Sequence, residues 1–362
     1  MLYVTAESLV EGAAAHVHVN EIIEGLKRRG WSTELVAPRY DTSGARPNIL
    51  RRFYEIAAVN WRAARGLKNV DAIYCRTNPL LMPLTWLALR RGVAVVHEAN
   101  GPYADVAIAH PWTRPIVGVF TAMQRWQFRK ASGVVSVTPQ LCEWLEGERR
   151  RSDVGLISNA ANTDLFTPDV QAEDPAPQPF VAFFGALAQW HGVDMMLAAI
   201  AHPDWPQGVR LVVIGDGADS DKVRIAAARD PRIVHLGRQP YRRVPALIRN
   251  AVCGLVTIVD VGGRALTGLA PLKLFESLAM GQPVIVTDYP GQSDFVRENG
   301  CGIVVAPGDA AALALAVAAF VRDPEAAKAM GARGREAVLR DHSWDQRAGD
   351  VDTLLRRLIS RN

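Results

Sequence analysis

Cysteine is scarce in this sequence, with four residues among 362. They lie far apart, at Cys75, Cys142, Cys253 and Cys301, and no two have the short spacing of zinc-binding or redox-active pairs. No other cluster of metal-ligating residues is visible, so we expect no bound metal. The spacing also argues against a disulfide framework and predicts that the cysteines are packing residues.

Long apolar runs are absent as well. No stretch reaches the roughly 18 to 20 apolar residues that a membrane-spanning helix needs. The first residues, MLYVTAESLVEGAAAH, lack the basic and apolar regions of a secretion signal. The sequence therefore predicts a cytoplasmic protein.

The net charge is small, at +4, but it is unevenly distributed. Much of the excess falls in residues 46–68, RPNILRRFYEIAAVNWRAARGLK, where six Lys and Arg residues accompany the single acid Glu55. Aromatic and aliphatic residues stand between the cations, as in a basic amphipathic helix. Such a helix suits an anionic membrane surface or a phosphorylated acceptor, and a solvated helix face is the alternative.

Short apolar runs typical of buried strands alternate with helical patterns along the chain. Six of them, LYVTA, TELVAP, AIYC, VAVVHE, GVVSVT and VGLISNA, precede a proline-rich stretch near 164–180 that is typical of a linker. Six more follow: FVAFFG, RLVVIGDG, RIVHLG, CGLVTI, PVIVTD and GIVVAP. The alternation predicts an α/β fold with two doubly wound Rossmann-like domains, which bind ligands at the carboxyl ends of their strands.

We place the first domain at residues 1–168 and the second at 169–343. Residues 344–362 are predicted to form a helix that packs back toward the first domain. A ligand shared by two such domains would lie in a cleft that both of them face.

Glycine-rich turns follow several of the predicted strands, at Gly12, at Gly185 to Gly192 and at Gly215-Asp216-Gly217. Glycine at a strand-to-helix turn lets backbone N–H groups approach an anion. The last turn lacks the third glycine of the dinucleotide fingerprint, and no acid ends a following strand at the expected distance. A Rossmann dehydrogenase is therefore disfavoured.

The segment GLAPLKLFESLAMGQPVIVTD, residues 268–288, predicts a short, nearly apolar helix followed by a buried strand. Pro271 suits the first helical turn, while Gly281 and Pro283 end the helix near Met280. Two charges inside such a segment require a partner, because a buried charge without one costs several kcal/mol.

Those two charges, Lys273 and Glu276, converge on the N-terminal end of the helix, since helical side chains lean in that direction. Free N–H groups and an ammonium there can hold a diphosphate, while a carboxylate one turn later can accept hydrogen bonds from sugar hydroxyls. The pattern indicates a site for a nucleoside-diphosphate-sugar. An intrahelical i,i+3 ion pair is the alternative.

This segment resembles the donor-site signature of the family-four glycosyltransferases, which are retaining enzymes of the GT-B fold. It matches the variant in which a Pro-Leu-Lys-Leu-Phe-Glu run replaces the commoner glycine-containing one. Other stretches resemble family motifs in the same order: EGAAAHVHVNEIIEGLKRRGW, VVHEANGP, VGLISNAANTDLFTP, FVAFFGALAQWHGVDMMLAAI, LVVIGDGADSDKV and IVHLGRQPYRRVPALI. The resemblance covers nearly the whole chain.

The resemblance implies roles for individual residues. Glu276 corresponds to the acid that binds the ribose, and the N–H groups of Leu272 and Lys273, after Pro271, would contact the diphosphate. His97 corresponds to the histidine that lines the reacting sugar, with a structural histidine as the alternative. The remaining donor-site positions are Gly12, which would close on the diphosphate from the first domain, Gly185 beneath the phosphates and Arg238 in the loop that approaches the base. A solvated arginine is the alternative for Arg238.

The sequence departs from the family at three positions. Ala186 and His191 stand where many relatives have Arg and Lys, and Gly268 stands where the first acid of the family's glutamate pair is expected. Lys273, with His191 or Arg264, would then have to neutralise the leaving diphosphate. The loss of the acid leaves the donor sugar open.

The function implied by the resemblance is transfer of a sugar from a nucleotide-sugar to an acceptor hydroxyl with retention, in bacterial polysaccharide or glycolipid assembly. We expect no cofactor and no metal; Asp219-Ser220-Asp221 looks like a manganese motif but is interpreted as a helix cap. The expected partners are a saccharide or lipid-linked saccharide and an anionic membrane on the inner face of the cell membrane, without nucleic acid. A GT-B sugar-nucleotide epimerase and a non-catalytic nucleotide-sugar-binding protein are the alternatives.

Overall fold

The computed structural model of the protein describes residues 1–11, 13–39, 48–102 and 111–360, and we describe no side chain at 111, 112, 264 or 266. The chain divides into two compact units. The first comprises Met1–Val10, Ala15–Ser158 and Asp345–Asn362, and the second comprises Glu11–Ala14 and Asn159–Trp344. The proline-rich stretch predicted as a linker lies inside the second unit, where Phe166 is buried.

The first unit is built on a six-stranded sheet in which all neighbouring strands are parallel and the order is β2-β1-β3-β4-β5-β6. The strands are β1 (Leu2–Val4), β2 (Glu34–Val36), β3 (Ala72–Arg76), β4 (Ala94–Ala99), β5 (Gly133–Ser136) and β6 (Val154–Leu156). The central strands are buried on both faces, which explains why their sequences are apolar runs without alternation.

Five α-helices of the described residues connect these strands: α1 (Ala14–Arg28), α2 (Ile49–Gly66), α3 (Met82–Arg90), α4 (Val117–Lys130) and α5 (Pro139–Arg149). Two of them begin at side-chain caps that the sequence signals. Asn48 accepts a hydrogen bond from the Arg51 amide at the start of α2, and Thr138 accepts one from the Leu141 amide at the start of α5.

The second unit contains another fully parallel six-stranded sheet, with the order β12-β11-β10-β7-β8-β9. Its strands are β7 (Phe180–Phe184), β8 (Arg210–Ile214), β9 (Ile233–Gly237), β10 (Gly254–Val256), β11 (Val284–Thr287) and β12 (Gly302–Val305). The strand order reverses between β7 and β10. In open sheets of this kind, ligands bind beyond the carboxyl ends of the strands at such a reversal.

The helices of the second unit are α6 (Val193–Ile200), α7 (Ser220–Arg229), α8 (Val244–Ile248), α9 (Leu272–Ala279), α10 (Gln292–Asn299), α11 (Ala310–Arg322) and α12 (Pro324–Asp341). Helix α9 packs against α12, and α6 packs against α11. The buried side chains form two apolar clusters in this unit.

The last helix, α13 (Trp344–Ile359), belongs to the first unit from Asp345 onward. The Trp31 indole donates to Asp352 at 2.6 Å, and Arg29 pairs with Asp345 at 2.8 Å. A Cβ atom added to Gly25 would lie 2.3 Å from Cβ of Ala348, so α1 and α13 are in contact at a point where only glycine fits.

The fold confirms the sequence prediction of two doubly wound domains, because a strand forms in every one of the twelve predicted runs. None of the helices that the structure describes combines the length and the apolar character needed to cross a membrane.

Candidate functional site

Helix α9 carries the two charges that the sequence singled out, and it is buried along its whole length. Pro271 occupies the N-cap position in an extended conformation, and no side chain caps the first turn. Lys273 and Glu276 are 7% and 3% exposed. The predicted helix bounds are therefore confirmed, and both charges lie in a low-dielectric environment next to uncapped backbone N–H groups.

The ammonium of Lys273 lies 3.7 Å from the centroid of the Phe183 ring. It has no hydrogen-bond partner in the part of the chain that the structure describes. Burial lowers the pKa of Lys273 from its usual 10.5 to about 7, and the charge of Glu276 acts in the opposite direction with a smaller effect. The hydrogen-bonded i,i+3 ion pair is therefore not formed, and an anion would supply the partner that this cation lacks.

Glycine turns bring backbone close to this ammonium. Gly185 follows β7 at the reversal of strand order, has φ of 118° and is exposed; a Cβ atom there would lie 3.4 Å from Lys273 Nζ. A Cβ atom on Gly215, which follows β8, would lie 1.8 Å from the Gly185 carbonyl oxygen. The two turns are therefore packed backbone on backbone, with no room for a Cβ atom on Gly215.

His191 lies near the same aromatic ring. It ends the short 3-10 helix Gln189–His191, its ring centroid is 6.1 Å from that of Phe183, and its Nδ1 contacts the carbonyl oxygen of Ala186. The structure thus brings together Lys273, His191 and Gly185, three positions that are 88 residues apart at most. Lys273 and His191 are therefore two basic residues near this ring, while Ala186 stands where many relatives have Arg.

Glu276 is oriented by a residue that the sequence did not identify. The phenol of Tyr241 donates to Glu276 Oε1 at 2.6 Å, and its ring lies 5.4 Å from that of Phe166. Tyr241 starts the 3-10 helix Tyr241–Arg243, 35 residues before its partner. No local periodicity links the two positions, so only the tertiary structure reveals the pair.

Arg238 is exposed in the loop after β9. Hydrogen bonds from Ser220 and the Gly217 amide lower the pKa of Asp216, and the positive charge of Arg238 lowers it further. Arg238 therefore lies near Asp216 in the turn after the carboxyl end of β8, and the sequence predicted the donor site at the carboxyl ends of these strands. Its contact with a base remains a prediction.

Gly12 and the side chain of Arg264, both of which the sequence predicted at the donor site, lie outside the described residues. Gly268, which replaces the family's first acid, is buried with φ of 84°. A side chain is strained in that conformation, so replacing Gly268 by an acid would be unfavourable in this backbone.

His97 lies inside β4 and is 0% exposed. Its Nε2 is 3.0 Å from the hydroxyl of Thr85 on α3, and burial, assisted by the charge of Arg149, lowers its pKa to about 3. The ring is neutral at physiological pH and presents no surface to a substrate in this conformation. Its role at the reacting sugar remains a prediction from the resemblance.

The residue after it, Glu98, is the centre of a buried polar cluster at the end of the first sheet. Its carboxylate accepts hydrogen bonds from Tyr74 and Arg76 at 2.8 Å and from Asn100 at 3.0 Å, and it lies 2.8 Å from His18 on α1. Burial alone would raise the pKa of Glu98, but His18 and Arg76 together hold it well below its usual range. This cluster joins α1 to β3 and β4.

Asp219 occupies the N-cap of α7, as predicted, but its side chain does not cap the helix. Instead its carboxylate pairs with Lys222 at 3.2 Å, while Asp221 pairs with Arg224 at 2.9 Å. The capping interpretation is therefore wrong for the side chain. Within the described residues no group of three or more His, Cys, Asp or Glu side chains is placed to hold a metal ion.

Two protein families match the chain in succession. Residues 15–165 match Glycosyltransferase Family 4, and residues 169–337 match Glycosyl transferases group 1. With the two parallel sheets described above, these matches identify the chain as a glycosyltransferase of the GT-B class. The finer assignment within that class has to come from its relatives and from the site.

Among curated proteins, the chain is 25% identical over 357 residues to the phosphatidyl-myo-inositol mannosyltransferase of Mycobacterium leprae, which covers 92% of this chain and 90% of the relative. It is also 25% identical over 301 residues to the lipopolysaccharide core biosynthesis mannosyltransferase LpcC of Rhizobium leguminosarum, covering 75% of this chain and 80% of the relative. Both relatives are named as mannosyltransferases.

Solved structures share the whole fold. Sucrose-phosphate synthase from Thermosynechococcus elongatus superimposes with a TM-score of 0.80 at 18% identity, covering 100% of this chain and 99% of that one. Anabaena HepE in complex with UDP gives a TM-score of 0.72 at 15% identity, covering 98% of this chain and 99% of that one. At these identities the likeness shows the fold alone.

Proposed function

We propose that this protein transfers a sugar from a nucleoside-diphosphate-sugar to a hydroxyl group of its acceptor, with retention of configuration at the anomeric carbon. The observation that carries the proposal is the buried ammonium of Lys273, which has no hydrogen-bond partner among the described residues and lies beside the glycine turn after β7. A diphosphate at the N-terminus of α9 would supply the missing negative charge.

The leaving diphosphate is neutralised by the chain itself in this proposal. Lys273 provides the main charge, the ring centroid of His191 lies 6.1 Å from that of Phe183, and the uncapped N–H groups of Leu272 and Lys273 point along the helix axis. Such preorganised donors stabilise charge that develops in the transition state. The open side of Gly185 allows the phosphates to approach the backbone.

Glu276 binds the ribose hydroxyls of the donor. A carboxylate has about four acceptor positions, of which the hydrogen bond from Tyr241 occupies one, and hydroxyl groups of a ribose are suitable donors to such a group. Tyr241 fixes the rotamer of Glu276 and thereby the position of the nucleoside.

The bond between the anomeric carbon and the diphosphate oxygen breaks as the bond to the acceptor oxygen forms on the same face. The proton of the acceptor hydroxyl passes to an oxygen of the leaving phosphate, so no separate protein base is required. In this scheme His97 lines the reacting sugar, which would require its ring to leave the contact with Thr85. No metal takes part, because helix N–H groups and cationic side chains stabilise the departing charge.

The acceptor is a saccharide, or a lipid-linked saccharide at the inner face of the cell membrane, in bacterial polysaccharide or glycolipid assembly. Both mannosyltransferases above carry names that refer to glycolipids, which supports this class of acceptor. The exposed basic residues of α2 support attachment to an anionic membrane surface.

The test is mass spectrometry of the protein incubated with a panel of nucleotide sugars, first alone and then with a membrane extract as acceptor source. We expect one nucleotide-sugar to bind and its nucleoside diphosphate to be released only with the extract. Conversion of the sugar without an acceptor would indicate an epimerase. Binding without release in either condition would indicate a non-catalytic binding protein.

A further inference from the structure

Helices α2 and α3 of the first unit enclose an apolar groove with a cavity volume of about 490 Å³. Its walls include Phe53, Ile56 and Trp61 of α2 and Pro83, Leu84 and Leu87 of α3. The one polar side chain among the lining residues, Asn60, donates its amide hydrogens to the carbonyl oxygens of Ile56 and Leu80. Apolar sites of about 300 to 1,000 Å³ commonly hold a small ligand.

The two helices that form this groove also carry tryptophan rings beside arginines, and we refer to the arginines of α2 and α3 as the rim. The guanidinium of Arg65 lies 3.7 Å from the centroid of the Trp61 ring, and that of Arg90 lies 4.3 Å from that of Trp86. Both tryptophans are exposed, by 56% and 45%. Tryptophan rings beside arginine are typical of residues at the boundary between lipid chains and headgroups.

Positive charge predominates on helices α2 and α3. Their sequences hold five arginines and one acid, Glu55, which lies 3.8 Å from Arg62. Arg51 and Arg52 are exposed on α2 beside Leu50, which is 77% exposed. An occupant with an apolar tail and a negative head would complement both the groove and its rim.

We propose that this groove binds one acyl chain of an anionic membrane phospholipid, with the headgroup held by the arginines at the rim. This proposal extends the proposed function, on which it rests for its membrane context. Attachment would then depend on a chain withdrawn from the bilayer as well as on surface charge, so high salt should not abolish it.

The test uses monomeric probes, which separate the groove from a membrane surface. Binding of 11-(dansylamino)undecanoic acid is followed by its fluorescence, and dihexanoyl phosphatidylglycerol is added as competitor. Ala57, which lines the groove, is replaced in Ala57→Phe to fill it. The matched control is Ala58→Phe, at the next position of the same helix and outside the lining. Phe53→Ser is a second variant that makes the groove more polar without filling it.

We expect the wild-type chain to bind one probe molecule and to release it to dihexanoyl phosphatidylglycerol. Ala57→Phe and Phe53→Ser should each weaken binding by about tenfold or more, whereas Ala58→Phe should bind within about twofold of the wild type. The glycerophosphoglycerol headgroup alone should not displace the probe, and dihexanoyl phosphatidylcholine should displace it less well.

Wild-type affinity in both groove variants would overturn the proposal. Sedimentation that shows a dimer broken by Ala57→Phe would assign the groove to a second copy of the chain instead. UDP and GDP titrations of the same variants keep the two proposals apart. Nucleotide binding without probe binding rejects the groove alone, and probe binding without nucleotide binding rejects the transferase function alone.

Discussion

The phenolic oxygen of Tyr241 lies 2.6 Å from Glu276 Oε1, and this contact joins a loop residue to the carboxylate assigned to the ribose. Tyr241→Phe removes the hydrogen bond and keeps the ring against Phe166. A hydrogen bond to a charged group contributes about 1.5 to 3 kcal/mol, so we expect UDP or GDP affinity to fall by about tenfold or more. Isothermal titration calorimetry measures the affinity of the wild type and of Tyr241→Phe for UDP and GDP.

Glu276→Ala should weaken nucleotide binding further and remove transfer, because it deletes the acceptor itself. Tyr3→Phe is the control, since it removes a buried hydroxyl from β1 of the first unit and leaves the second unit unchanged. Unchanged affinity for both nucleotides in Glu276→Ala would refute the assignment of this residue.

Lys273→Met should lower the rate of transfer by about 10²-fold or more, on the scale of losing one preorganised charge. The same change should raise the melting temperature of the ligand-free protein, because it replaces a buried cation that lacks a hydrogen-bond partner by an apolar chain of similar length. Steady-state transfer and thermal unfolding measure the two effects.

A second substitution, His191→Lys, should restore part of the activity lost in Lys273→Met. Near-normal rates in Lys273→Met would leave the diphosphate to the backbone N–H groups and His191. His191→Ala, tested alone, shows how much the histidine contributes.

Nucleotide binding should depend on pH through Lys273. The pKa of Lys273 is lowered to about 7 by burial, so the ligand-free protein loses this charge as pH rises above 7. A bound diphosphate favours the protonated form, and binding above pH 7 must take up a proton. We expect affinity for UDP or GDP to fall by up to about tenfold per pH unit there, and to lose this dependence in Lys273→Met.

The free energy of unfolding should rise with pH over the range in which nucleotide affinity falls. The unfolded chain keeps the usual lysine pKa of 10.5 and binds one more proton than the folded chain above pH 7. Stability of the ligand-free protein should therefore rise by up to about 2 kcal/mol between pH 7 and pH 8.5 relative to Lys273→Met. Urea unfolding at several pH values measures this difference, and identical slopes in the two proteins would contradict it.

EDTA should leave the transfer rate unchanged, because the proposed stabilisation of the diphosphate comes from Lys273, His191 and the N-terminus of α9. The measurement is release of nucleoside diphosphate before and after chelation. Loss of activity that Mg²⁺ or Mn²⁺ restores would replace this part of the mechanism with a metal-assisted one.

Arg51→Glu combined with Arg52→Glu should reduce co-sedimentation with phosphatidylglycerol vesicles, since each basic residue near an anionic surface contributes about 1 kcal/mol. The effect should be largest at low salt. Arg224→Glu with Arg229→Glu, two exposed positions on α7, is the matched control. Equal binding of the wild type to neutral and anionic vesicles would argue against a role for charge.

The fold could be predicted from the sequence because parallel strands covered on both faces leave unbroken apolar runs, such as FVAFF in β7. The bounds of α9 followed from Pro271, Gly281 and Pro283. The same lack of alternation hid the direction of His97, whose strand is buried at every position. Nothing local in a doubly buried strand tells which side chain meets a helix and which meets a ligand.

Contacts between residues that are far apart in the chain could not be predicted from the sequence. The cluster around Glu98 draws His18 from 80 residues away and Tyr74 from 24, and neither partner forms a motif with it. Asp219 was correctly placed at the start of α7, but the choice between a backbone amide and the Lys222 ammonium depends on local geometry. Propensity predicts such positions better than it predicts their partners.

The contact between α1 and α13 has a consequence for how the chain is made. The first unit includes Asp345–Asn362, and Ala348, Val351 and Leu355 of α13 are completely buried. During synthesis this segment leaves the ribosome after every residue of the second unit. The apolar surface that α13 covers therefore stays exposed until the whole second unit has been synthesised, and the second unit is free to fold before the first one closes.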